Sequence, residues 1–163
     1  MNIPNSHRQL APTFEGIDRA ITDFLARHAL TSLRVALGLV FLWFGALKFV
    51  PGLSPADGLA TRTISMLSWD IVPATVSLPL LATWETLIGV GLLSGRFLRA
   101  TILLLVLQML GTVAPLVLLP GETWRAFPYA LTLEGQYIVK NVVLVAAALT
   151  LGATVRGPRT MGV

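Results

Sequence analysis

A chain of 163 residues carries 55% apolar and only 12% charged side chains, with a net charge of +4. That is about half the usual charged share of a soluble domain, and with a mean hydropathy of +0.76 it predicts an integral membrane protein. The absence of cysteine excludes disulfides, thiolate nucleophiles, thiol relays and Cys-ligated metal sites. The basic residues are scattered through loops, which fits the positive-inside bias and argues against a nucleic-acid partner.

Residues 1–12 are polar, contain two prolines and read as a loose segment. From Thr13, a candidate N-cap, the spacing of Phe14, Ile17, Ile21, Phe24 and Leu25 predicts an amphipathic helix. Such a helix suits a membrane surface or the flank of a neighbouring helix or subunit. Leu30–Val50 is the first expected span, interrupted only by Arg34 and Lys48, and is long enough for the hydrocarbon core. It starts too late and runs too long for a signal peptide. Gly38 and Gly45, a heptad apart, predict close helix contact.

Pro51 stops that span, and Ser54 followed by Pro55 reads as a cap and first turn. A short amphipathic helix over Pro55–Trp69 is expected to rest at the outer interface. The second span, Leu78–Leu93, carries Trp84 and Glu85, and a tight link through Ser94–Arg99 turns the chain back. Ala100–Leu119 is the third span, with Gln108 near its centre and kinks expected at Gly111 and Pro115. Pro120–Leu133 reads as an outer loop. Leu133–Gly152 is the fourth span, and its first half bears Glu134, Gln136, Tyr137, Lys140 and Asn141.

These elements predict an all-α protein, an integral-membrane four-helix bundle with an amphipathic N-terminal helix and a short interfacial helix in the first outer loop. The expected divisions are a cytoplasmic arm (1–29), the transmembrane domain (30–152) and a cytoplasmic tail (153–163). Arg8, Arg19, Arg27, Arg34, Arg96, Arg99, Arg156 and Arg159 fall on one side, so both termini are expected in the cytoplasm.

On that topology Lys48, Glu85 and the Glu134–Asn141 cluster share the outer half of the bundle. A carboxylate alone in hydrocarbon is badly destabilised, so Glu85 is expected to pair with Lys48 or Lys140. One reading makes the pair a structural device that sets helix register. The other makes it a proton-handling or head-group site, because intramembrane ionisable groups are functional by default. Glu85 and Lys140 are the candidate catalytic pair. Lys48, Tyr137, Asn141, Trp84 and Trp43 are candidate ligand contacts, against the plainer readings of snorkelling, interhelical bonding and an aromatic belt. Gln108 reads as glue between helices. His7 and His28 are too far apart and too poor in nearby acids for a metal site. No phosphate loop, catalytic triad or dinucleotide fingerprint is present.

LRVALGLVFLWFGALKF, then WETLIGVGLLSGRFLR, then EGQYIVKNVVLVAAALTLG together resemble the DoxX-like membrane proteins, over residues 31–152. The likeness is greatest to the YkgB-type, reactive-chlorine-resistance branch. The resemblance implies a four-helix membrane bundle in which Lys48 ends the first helix, Glu85 lies in the second and Lys140 opens the fourth. It also implies a link to thiosulfate:quinone oxidoreductase chemistry or to oxidative-stress defence in a bacterial inner membrane.

Three functions follow as expectations. The first is a redox-linked subunit with no intrinsic cofactor, taking a quinone or lipid-like ligand and needing a redox partner. The second is a non-enzymatic accessory subunit of a larger membrane complex or homo-oligomer. The third, a small proton-coupled transporter, is disfavoured by the lack of an inverted repeat.

Overall fold

The computed structural model describes residues 11–155, with side chains from Phe14 onward. Ala11, Pro12 and Thr13 are already helical, so the expected loose segment ends sooner and Thr13 lies inside the helix rather than at its cap; His7, Arg8, Arg156 and Arg159 lie outside the described residues. The chain divides into two compact units, Met1–Leu33 and Arg34–Val163, each taken here by itself.

Helix α1 covers Ala11–Leu47 without interruption. The expected amphipathic helix and the first span are therefore parts of one helix, because no proline lies between Pro12 and Pro51 to break the backbone ladder. Its 37 residues compare with the roughly 20 that cross a bilayer. In the first unit Phe14, Ile17, Ile21, Phe24 and Leu25 are all exposed. Local contacts there run between neighbouring turns: Arg27 donates to the Asp23 carbonyl at 3.0 Å, and Phe24 stacks on His28 at 4.4 Å.

In the second unit the remaining elements are α2 (Asp57–Leu67), α3 (Ala74–Ser94), α4 (Leu98–Val113), α5 (Pro115–Leu118) and α6 (Pro120–Thr123). They are followed by β1 (Trp124–Ala126), β2 (Ala130–Leu131), α7 (Leu133–Lys140) and α8 (Val142–Thr154). Among the described residues, four stretches are long and apolar enough to cross a membrane: Phe14–Leu47, Ala74–Ser94, Leu98–Leu118 and Leu133–Thr154. The protein is an all-α, four-helix membrane bundle.

Several boundaries differ from the sequence reading for local reasons. Ala56, not Ser54, is the N-cap of α2; Ser54 is buried and gives its carbonyl to the Asp57 amide. Helix α3 begins a turn before the apolar run, with Pro73 as its extended N-cap. Gly95 (φ 68°) and Phe97 (φ 54°), both left-handed, reverse the chain between α3 and α4. The third span breaks at Pro115, whose missing N–H cannot continue the ladder. The loop that follows holds an antiparallel hairpin, pairing Trp124 with Leu131 and Ala126 with Ala130. The indole of Trp124 donates to the Leu116 carbonyl at 2.9 Å and pins the hairpin to α5. Thr132 caps α7 by accepting from the Gly135 amide at 3.1 Å. Asn141 then separates α7 from α8, so the fourth span is two helices in sequence.

Lipid is as apolar as leucine, so helices in a bilayer associate through close packing and polar contacts. The core of this unit is correspondingly small, with Phe41, Ile88, Leu92, Leu105, Met109 and Leu151 buried. Glycine brings α1 onto α3. A Cβ on Gly89 would stand 2.5 Å from the Leu42 backbone nitrogen, and one on Gly45 would stand 2.8 Å from that of Thr86. No side chain fits either position.

Candidate functional site

The glycine crossing determines what Lys48 can reach. Gly45 lies against the Cβ of Glu85, and Lys48 follows it by one turn. Lys48 Nζ donates to Glu85 Oε2 at 2.7 Å and to the Phe44 carbonyl at 3.2 Å. From α4, Gln108 Nε2 donates to Glu85 Oε1 at 3.0 Å. Lys48, Glu85 and Gln108 are 8%, 7% and 9% exposed. A cation, an anion and an amide from three spans thus form one enclosed cluster.

Its electrostatics follow from the enclosure. Taking two ions out of water costs several kcal/mol each, and their attraction offsets this only when geometry is good and further hydrogen bonds complete the site. Here both carboxylate oxygens have a donor. The carboxylate also fixes the amide, since turning Gln108 over would set oxygen against oxygen. Gln108 Oε1 is consequently buried without a donor, as is Thr86 Oγ1 beside Gly45.

A second charge contact joins α1 and α3 at their opposite ends. Arg34 donates to the carbonyls of Leu92 and Leu93, the latter at 3.0 Å, in the last turn of α3. Those carbonyls have no partner within the helix, and a cation there also suits the helix dipole. Arg34 and Lys48 stand about 20 Å apart along the helix. In the sequence Arg34 reads as an interruption of a span and as one of the residues that set the orientation; its position one turn inside an apolar run is the signal that it serves a helix end.

The other expected site residues do not join the cluster. Trp84 is half-buried and donates to the Leu104 carbonyl at 3.0 Å, tying α3 to α4. Trp43 is 71% exposed on the surface of the bundle. Lys140 is exposed, with its ammonium 5.4 Å from the ring centroid of exposed Tyr137, and among the described residues it forms no ion pair. Asn141 is half-buried at the α7–α8 break, where its carbonyl accepts from the Val145 amide. An open groove of about 310 Å³ lies elsewhere, lined by Pro55, Gly58, Leu59, Arg62, Glu122 and Glu134. Arg62 pairs with Glu122 across it.

The family model described as DoxX matches residues 29–118. That stretch contains Arg34, Gly45, Lys48, Glu85, Gly89 and Gln108 and stops short of Lys140. No curated protein and no solved structure matches the chain.

Proposed function

The chain belongs to the DoxX family, and on that premise we propose that it is a small accessory subunit of a membrane complex, with Lys48–Glu85–Gln108 as the clasp that fixes its helix packing. The observation that carries this reading is the enclosure of Glu85, each of whose oxygens accepts one hydrogen bond from another helix, at 2.7 and 3.0 Å, inside a buried site. A carboxylate so enclosed holds helices together, and its burial between three helices keeps a diffusing ligand from its remaining lone pairs. The setting we propose is a bacterial inner membrane, within the reactive-chlorine-resistance branch of the family. Arg34, Arg96 and Arg99 gather where α3 turns into α4, which supports a cytoplasmic position for that end.

A redox-linked reading has one specific observation in its favour. Gln108 Oε1 is a buried acceptor without a donor, and such groups are normally satisfied by ordered water or a ligand. A quinol hydroxyl would donate there, next to Glu85, which would then hold or release the proton.

One experiment separates the two readings. Breaking a buried ion pair typically costs about 3–5 kcal/mol, whereas replacing both partners by apolar residues can be nearly neutral. Glu85→Gln and Lys48→Met should each lower the melting temperature in detergent, and the pair Lys48→Met with Glu85→Leu should recover it. On the accessory reading the double variant also restores survival of a deletion strain under hypochlorite. Recovery of stability without survival would transfer the site to the redox reading.

A further inference from the structure

Helix α7 presents an unusual surface for a membrane span. Gln136, Tyr137 and Lys140 are all exposed, and at 100° per residue they lie within about a third of the helix circumference. Each ends in a hydrogen-bond donor: an amide, a phenol and an ammonium. Glu134 forms no ion pair with Lys140 among the described residues, so no carboxylate on α7 neutralises the ammonium. Lys140 lies seven residues inside the apolar stretch Leu133–Thr154, about 10 Å from its start. An unpaired cation at that depth, facing outward, is costly in hydrocarbon.

Helical side chains tilt toward their own N-terminus. The stem of Lys140 therefore leads back toward the start of α7, where the bilayer surface lies, and its ammonium stands 5.4 Å from the Tyr137 ring one turn nearer that surface. One turn beyond Lys140 on the same face, Val143 is 65% exposed and offers apolar contact. Three donors and one unpaired positive charge, above an exposed valine, are complementary to a phosphate carrying an acyl chain. We propose that this face binds an anionic phospholipid, its phosphate held by Lys140, Tyr137 and Gln136 and its acyl chain running over Val143.

The test is lipid retention by the purified full-length chain, measured by native mass spectrometry with phosphatidylglycerol and phosphatidylcholine of identical acyl chains. The chain should retain phosphatidylglycerol in preference, and Lys140→Met should reduce that preference about fivefold, the effect of one cation near a membrane surface. Lys140→Arg should keep it, and Tyr137→Phe should weaken it while leaving the melting temperature unchanged. An undiminished preference in Lys140→Met would overturn the proposal. So would a Lys140-dependent contact with a second protein chain, or a quinone carried through purification by the parent chain and lost from Lys140→Met.

Discussion

Gln108 has its amide oriented by a carboxylate, so its effect on stability is tied to the charge of its neighbour. Gln108→Glu would set two carboxylates around one lysine, and like charges at hydrogen-bond distance cannot both ionise without a large cost. We expect that variant to be as unstable in detergent as Glu85→Gln, by melting temperature. Gln108→Leu removes a donor from Glu85 Oε1 and also removes the buried acceptor that lacks one. The two effects oppose each other, and a lost donor to a buried group costs about 1–3 kcal/mol, so the drop should be smaller. The sequence makes Lys48 and Glu85 conspicuous as charges inside apolar runs. It leaves open which lysine meets Glu85, because that depends on how closely two backbones approach. Gln108 is legible as a polar residue between helices, but its partner is set by the rotation of α4.

At the level of elements, the glycines of α1 and α3 decide that approach. Gly89→Val should fail to assemble, since its Cβ would meet the Leu42 backbone nitrogen at 2.5 Å and backbone cannot give way. Gly111→Ala, also in a membrane helix but with nothing within 4 Å of its new Cβ, should be tolerated, or stabilise by up to about 1 kcal/mol through helix propensity. Detergent melting curves of the two variants check the contrast. The heptad of Gly38 and Gly45 is readable in the sequence as a packing signal. Gly89 is less so, because Gly91, two residues on, falls on a different face of the helix and gives it no packing repeat. The hairpin of β1 and β2 is too short, and its residues too mixed, for alternation to reveal it. The continuity of α1 is legible in hindsight from the absence of any proline between Pro12 and Pro51.

For the whole molecule, the residues that carry the buried cluster and the Arg34 contact all lie in the second unit. Removing residues 1–27 should therefore leave the four spans inserted, as judged by carbonate extraction, while weakening association with partner proteins on native gels. Failure of the shortened chain to insert would make the amphipathic stretch part of the bundle's own stability. Orientation is tested by fusing a reporter after Val163: activity is expected from a cytoplasmic reporter and not from a periplasmic one.

The charges that join α1 to α3 also constrain how the chain enters the bilayer. Lys48 ends the first span and Glu85 lies midway along the second, so each ion reaches the membrane in a segment that lacks its counter-charge. Each span should therefore leave the translocon more readily once the other is present and the ions can meet, which predicts entry as a helical hairpin. A ribosome-stalled chain ending before Glu85 is expected to crosslink to the channel, and one extended past Arg99 to crosslink to lipid.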